Sequence, residues 1–528
     1  MRLSTLGPMA FTLLVVAITS VAACGSSHSG DGGNGSSSGG TSFSIPGSSG
    51  SGGDGDGGVT CPANLDCNPS CSGGGNTTSI SGTVYDPAGL NPLYNIVVYV
   101  PATPLQPLPG PGVPTGSAMC SCPALYPSGQ VVTTTTSVDG TFTLNDAPVG
   151  DNVPLVVQIG KWRRQYNIKT TACQSNPQPD KSLTLPSTVV ASTDSIPEMA
   201  VSTGEADTLE CLMRRIGLPT SEYVAGAGGN GHIHVFAGGE TGVAGFLGGG
   251  GGGVGTAENP GMAGAPASYQ KLWDSQADLM PYDIVLLSCE GGETYKANPP
   301  ALESYLNVGG RVFASHYHYA WFAGPLASNQ NYAAPADWGT ALASWTANGT
   351  TGTNTCVQGG ANCMPIAGNI VTTLNGSTQA FPKGVALDSW LGNVGALGQN
   401  GVAATELSIY QPRYDAKVGA ANTPSQPWIT YSQSATDLWT MYFSFDTPIN
   451  PTNTMTNETG PTYCGRAVYS DLHVAGNPQT DDTMTPPDGC KAGPLSPQEK
   501  ALEFMLFDLS SCVIPDSEMP PMSGIPPQ

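Results

Sequence analysis

Three short segments in the second half of the chain end in side chains that can do chemistry. Cys289-Glu290 follows Ile284-Val285-Leu286-Leu287, Ser315-His316-Tyr317-His318 follows Arg311-Val312-Phe313-Ala314, and Asp471-Leu472-His473 follows Ala467-Val468-Tyr469. A thiolate needs a neighbouring base or positive field to be populated at neutral pH. Cys289 is therefore the candidate nucleophile, with Glu290, His316 and His473 as candidate catalytic partners and His318 as a further base. The same side chains suit metal binding. Four of the six histidines fall in two His-x-His pairs, His232/His234 and His316/His318, and Asp471/His473 repeats that spacing. Residues two apart on a strand share one face, so each pair points at one ion if its segment is extended. Zinc is the ion such a set would take, although residue order names no third and fourth ligand and no cofactor is required. The third reading, and the one favoured, gives the rim no reaction. It is then a pocket kept for binding or for structural integrity, with its histidines hydrogen-bonded and its cysteine bridged or packed as a small hydrophobe.

Bringing these segments together calls for a parallel sheet. Short β-branched runs bounded by turn formers and separated by helical stretches read as its buried strands, whose carboxyl ends gather ligands at one rim. Met199 to Gly204 reads as one strand running into a turn, His232 to Phe236 as another, and Met441 to Phe445 as a late one. Helices are expected over Glu205 to Ile216, Tyr269 to Leu279, Pro300 to Leu306 and from Pro497 to about Leu509. The last has a serine N-cap, a proline at its first position and Glu499 three residues on, a capping box. The stretch from Ala323 to Thr440 is irregular, with Trp338, Trp345 and Trp390 as core or insert anchors, and the glycine run at 248–253 reads as a flexible insertion.

Ahead of this α/β region, from Ser79 to Pro186, short alternating strands read as a small all-β sandwich. Val131 to Val138 and Thr141 to Leu144 form a hairpin-like pair around Asp139-Gly140. The basic cluster Lys161-Trp162-Arg163-Arg164 reads as charge that keeps a strand edge soluble, with an anionic glycan site as the alternative.

With 39 acids against 17 bases the net charge is -22, which argues against nucleic-acid binding. The 70 glycines and 46 prolines require long loop or linker tracts. Met1-Arg2, an apolar stretch from Met9 to Ala23 and small residues before a cut make a secretory signal. From Gly25 to Val59 the chain is nearly all Gly, Ser, Asp or Asn, a tether with a reach of roughly 30–35 Å at Gly-rich scaling. Fourteen cysteines fit an oxidising compartment, and Cys356 with Cys363 and Cys464 with Cys490 are the local bridges that spacing suggests.

Several of these patterns resemble known families. Val21-Ala22-Ala23-Cys24 resembles the bacterial lipobox, which implies a diacylated Cys24 and, with Gly25-Ser26 lacking an aspartate, an outer-membrane address. Ser81-Gly82-Thr83-Val84-Tyr85-Asp86, Val138-Asp139-Gly140-Thr141-Phe142-Thr143-Leu144 and Ala147-Pro148-Val149-Gly150 resemble the carboxypeptidase regulatory-like domain, a non-catalytic prealbumin-like sandwich. Tyr282 to Leu286, Tyr305 to Phe313 and Gly465 to Ser470 resemble the class I glutamine amidotransferase-like superfamily, nearest its trehalose-utilisation-like branch. That resemblance implies a nucleophile elbow after the Gly309-Gly310 strand and a late histidine. Ser315-His316 stands where the elbow cysteine would be, His473 falls where the late histidine would be, and Cys289-Glu290 lies on the neighbouring loop. The whole order, closing on Leu495 to Phe507, also resembles a group of myxobacterial-type lipoproteins, which implies no activity.

The expectation is a multidomain chain: signal peptide 1–23, lipidated cysteine and Gly/Ser-rich tether 24–78, prealbumin-like β-sandwich 79–190, flavodoxin-like α/β parallel sheet with long insertions 196–515, and a disordered tail 516–528. The expected role is a surface-anchored, non-enzymatic binding or structural component of the envelope, with the membrane, met through its lipid, and a glycan or envelope protein as its expected partners. A thiol- or metal-dependent hydrolase at the strand-end rim is the alternative.

Overall fold

The computed structural model describes residues 61–73, 77–116, 119–204, 207–238, 262–293, 296, 298–328, 331–346, 364–434, 437–449, 463–474, 486–490 and 493–521. The signal segment, Cys24, Cys356, Cys363 and the glycine run at 248–253 lie outside the described residues. The chain divides into residues 1–57 and 58–528, and all that is described lies in the second unit. Within that unit the protein is β-rich, with several sheets and few helices.

Its first part holds β1 (Ser79–Tyr85), β2 (Val97–Pro101), β3 (Gln130–Thr135), β4 (Thr141–Asn145), β5 (Gly150–Ile159), β6 (Trp162–Thr170), β7 (Ser175–Pro177) and β8 (Leu183–Thr184). One sheet runs β4-β1-β7 with β8 also on β1, the other β3-β2-β5-β6. Alternation drives this: in β4, Phe142 and Leu144 are buried while Thr141, Thr143 and Asn145 are exposed. The Asp139-Gly140 turn does not close a hairpin. It passes the chain between sheets, β3 pairing with β2 and β4 with β1, so that each strand gives its apolar face to a shared core. The basic cluster is not a soluble edge either. Lys161 is buried, donates to the carbonyls of Gly110 and Gly112 and pairs with Asp283 at 2.6 Å. Arg163, also buried, donates to the carbonyls of Gln106 and Thr193. Desolvating these cations requires such partners.

The second part holds β9 (Met199–Ser202), β10 (Tyr223–Ala225), β11 (Ile233–Phe236), β12 (Ile284–Leu287), β13 (Arg311–Ser315), β14 (Ser344–Trp345), β15 (Ile366–Ile370), β16 (Glu406–Ile409), β17 (Ala416–Lys417), β18 (Ser425–Ser434), β19 (Asp437–Thr447) and β20 (Gly465–Ser470). Ten of them form one sheet, β10-β11-β9-β12-β13-β20-β19-β18-β15-β16. From β10 through β20 neighbours are parallel, and from β20 through β16 antiparallel. Much of the irregular stretch thus extends the sheet. Trp338 and Trp390 are buried, and Trp345 is partly so.

Among the helices, α1 (Leu209–Arg215) is shorter than expected and α4 (Pro299–Asn307) matches its expected place. The helix expected over 269–279 is two short ones, α2 (Ser268–Lys271) and α3 (Gln276–Leu279), because the Ser275 side chain caps a new start by accepting from the Asp278 N–H. Two further helices, α5 (Ala320–Ala323) and α6 (Pro382–Asn393), follow. The last, α7 (Pro497–Ser510), carries the capping box: Ser496 N–H donates to Glu499 at 2.8 Å and the Ser496 hydroxyl accepts from Glu499 N–H. It wedges against the first part. Phe507 meets Trp162 and Phe504 meets Tyr94, with centroids 5.8 and 5.9 Å apart. The two parts accordingly share one apolar core from Ile80 to Leu509.

Among the described residues five disulfides are present: Cys61–Cys67, Cys71–Cys173, Cys120–Cys464, Cys122–Cys512 and Cys211–Cys490. The expected Cys464–Cys490 bridge does not form. Packing around β20 and α1 places each thiol beside a partner far away in sequence, which spacing along the chain cannot reveal. Part of the expected tether is also tied down, since residues 61–73 carry two bridges and Asp66 pairs with Val149. The expected tail begins ordered, because Asp516 accepts from Arg466 at 3.0 Å. Bridges of this number fit an exported protein, and among the described residues no helix is long and apolar enough to cross a membrane.

Candidate functional site at the carboxyl rim

Register decides which side chains meet. Leu287 lies opposite Ala314, Ala314 opposite Tyr469, and Ser315 opposite Ser470, so the carboxyl ends of β12, β13 and β20 lie level. Cys289, His316 and His473 follow directly and converge. Cys289 Sγ lies 3.2 Å from His316 Nδ1, and that nitrogen lies 3.0 Å from His473 Nε2. All three side chains are buried, at 0%, 2% and 3% exposure.

His316 takes the sharp turn between β13 and a short 3₁₀ turn at His316–Tyr319, with φ of 45°. A left-handed residue that is not glycine costs about 1–3 kcal/mol and persists only where its surroundings hold it. Tyr469 helps to hold it by donating its hydroxyl to the His316 carbonyl at 3.0 Å. The coiling also separates His318 from His316, correcting the expectation that this pair converges, since two-apart residues share a face only in extended chain. His318 Nε2 instead donates to the Ser288 carbonyl at 2.9 Å and lies 3.7 Å from Glu290.

Other candidates fall elsewhere. Glu290 accepts from the Ser202 hydroxyl at 3.0 Å rather than facing Cys289. Asp471 is taken by the backbone N–H groups of Asp415 and Ala416 at 2.8 and 3.0 Å and by the Tyr469 hydroxyl. His232 precedes β11, at the opposite end of the sheet, and sits 2.5 Å from Glu222; His234, within β11, sits 2.9 Å from Glu198. Each of that pair is closed by its own carboxylate, so the two do not share an ion site.

Residue order did not single out the loop at 411–415, which Asp471 anchors over the rim. Asp415 Oδ2 lies 3.3 Å from His316 Nε2. His473 Nδ1 faces Gln411 Oε1 at 2.8 Å and Arg413 Nη2 at 3.0 Å. Asp207 braces two strand ends at once, accepting from the Ser315 hydroxyl at 2.7 Å and from Val474 N–H at 3.0 Å. No periodicity or motif marks these residues; Asp207 and Asp415 stand out only by their burial as polar groups.

Burial pushes the Cys289 thiol up to about 12, against the opposing pull of the Tyr317 and Gly291 backbone N–H groups. Burial, then the Arg413 charge, holds His316 and His473 well below the ordinary imidazole range. Burial, reinforced by Asp415, drives Asp471 well above the usual carboxylate range. The rim thus holds a neutral thiol and two neutral imidazoles: two hydrogen-bonding bases and a weak acid, all almost wholly shielded. Comparison of the chain with protein-family models, with curated proteins and with solved structures returns no match.

Proposed function

We propose that this is an exported, lipid-anchored, non-enzymatic binding or structural component of the cell envelope. In this reading Cys24 carries the lipid, a prealbumin-like module of the carboxypeptidase regulatory type spaces or displays, and a flavodoxin-like, amidotransferase-like unit supplies a surface for a glycan or an envelope protein. The observation that carries the non-enzymatic part is the closure of the rim. A nucleophile must reach its substrate, and Cys289 and both nearby histidines are almost wholly shielded. The rival reading, a thiol-dependent hydrolase, draws on the 3.2 Å approach of Cys289 to His316.

Alkylation separates the two. With native protein and iodoacetamide, the Cys289 peptide stays unmodified until the chain is unfolded. Fast native labelling, accelerated by the His316 base and lost in His316→Gln, would instead favour the hydrolase. The anchor is tested by fractionation: Cys24→Ala moves the protein out of the membrane fraction, and unchanged membrane retention would remove the lipid from the reading.

A further inference from the structure

We infer that Cys289, His316 and His473 form a buried centre for a borderline-soft divalent metal ion of the zinc class. The inference goes beyond the envelope reading and does not depend on lipid anchoring. Three donor atoms of the kinds that zinc takes face one point: Cys289 Sγ, His316 Nδ1 and His473 Nε2 all lie within 4.8 Å of one another. They come from three separate strand ends.

Two of the three spacings fit with little adjustment. Zinc bonds of about 2.0–2.1 Å to nitrogen and about 2.3 Å to sulfur, at tetrahedral angles, put donor atoms about 3.3–3.6 Å apart. Here Cys289 Sγ to His316 Nδ1 and His316 Nδ1 to His473 Nε2 stand at 3.2 and 3.0 Å, so admitting the ion opens these two pairs by a few tenths of an ångström, and the third pair lies within 4.8 Å.

Outer contacts point the same way. A histidine that binds a metal through one nitrogen characteristically directs the other at a carboxylate or carbonyl, which fixes its tautomer. His316 Nε2 faces the Asp415 carboxylate at 3.3 Å; His473 Nδ1 lies 2.8 Å from the Gln411 amide oxygen and 3.0 Å from Arg413 Nη2, which can only donate, so metal binding requires the Gln411 contact to prevail over the Arg413 one. With protons on those outer nitrogens, both inner nitrogens present lone pairs to each other and to sulfur. One proton can bridge one pair of the three atoms. A metal ion satisfies all three at once.

Binding is balanced as follows: the Cys289 S–H bond breaks, a metal–sulfur bond and two metal–nitrogen bonds form, and the thiol proton leaves to solvent. Arg413, beside His473, opposes the added positive charge. Asp415, beside His316, favours it.

The test uses the full mature chain and cobalt(II) as a spectroscopic substitute for zinc. One cobalt per chain, with a sulfur-to-metal charge-transfer band that added zinc abolishes, is the expected result. Cys289→Ser, close in size, keeps the far-ultraviolet circular dichroism of the wild type and loses the band. Asp415→Asn weakens zinc binding about ten- to a hundredfold while keeping the band at saturation, since it touches an outer nitrogen only. If the wild-type chain carries no metal as purified and shows no more cobalt absorption than Cys289→Ser, the inference is overturned and the cluster is a proton-bridged packing element.

Discussion

β12, β13 and β20 carry opposite kinds of environment at their two ends. At the carboxyl end, Cys289, His316 and His473 crowd together without a full charge among them. At the amino end a cavity of ≈ 120 Å³ lies between the two parts of the molecule, lined by Lys161, Asp283, Arg311 and the bridged Cys120 and Cys122. Around it ions are paired and bonds covalent: Lys161 with Asp283, Arg466 with Asp446, Asp508 and Asp516, and two disulfides joining the β layers to β20 and the chain after α7. The sheet delivers both ends, so the difference comes from what packs on them. The amino end is a junction fixed by charge and cross-links. The carboxyl end is fixed by backbone contact and by hydrogen bonds to the Asp207 and Asp471 side chains, which leaves soft donor atoms facing one another.

The contrast can be broken most forcefully at Arg466, buried among three carboxylates. Arg466→Met leaves Asp446 and Asp516 without this partner, Asp508 keeping Lys383 at 2.6 Å, and should cost roughly 3–5 kcal/mol, read as a lowered urea midpoint. A loss below about 1 kcal/mol would mean that the junction does not rely on this ion network. Next comes removal of the Cys120–Cys464 bridge by the double alanine variant, expected to cost roughly 2–5 kcal/mol by thermal unfolding while Cys289 stays unreactive in the native state. Loss of that protection would show that the two ends are coupled rather than separate.

At the rim, Gly204 follows β9 and packs against Cys289. A Cβ there would lie 2.3 Å from the Cys289 carbonyl oxygen, which is backbone and cannot swing away. Gly204→Ala should cost about 1–3 kcal/mol and weaken the cobalt band, whereas wild-type stability and absorption would show a rim looser than its contacts imply.

Smallest, and of opposite sign at the two ends, is the pH response. Asp283, before β12, is raised from 3.8 to about 6, burial outweighing the attraction of Lys161. Between those values the folded chain holds more protons than the unfolded one, so its contribution is present below about pH 3.8 and is lost as pH rises through 6. Glu293, beyond the other end of β12, is lowered from 4.5: burial works against it, but Ser328, Tyr319 and the Ala327 and Leu326 N–H groups together outweigh burial. Its contribution is present above pH 4.5 and is lost on acidification. Stability against pH for Asp283→Asn should lose the decline between pH 4 and 6, which is at most about 1.4 kcal/mol per pH unit. Glu293→Gln should lose the acid-side decline. Matching profiles for the two variants would erase the distinction.

How much of this was legible beforehand varies with the range of the interaction. The strands ending at Leu287, Ser315 and Ser470 and the capping box of α7 were readable, because β-branched runs and cap residues act over a few neighbours. The metal pairs were read by rule from a two-residue spacing, and the rule failed at His316 because that residue turns left-handed and coils the chain. The bridge partners of Cys464 and Cys490, 344 and 279 residues away, left no local trace. Neither did Gln411, Arg413 and Asp415, which sit in a stretch without periodicity.

The amino-acid order by itself determined an acidic, cysteine-rich chain and a set of short buried strands, since composition and periodicity are properties of neighbours. Only the tertiary structure decided that one thiol and two imidazoles meet while four other expected ligands, His232, His234, His318 and Asp471, do not. That outcome depends on parallel register across β12, β13 and β20, on a strained turn at one residue, and on a distant loop held down by Asp471. Each is a contact between parts of the chain far apart in sequence, and its energy exists only once the layers have packed.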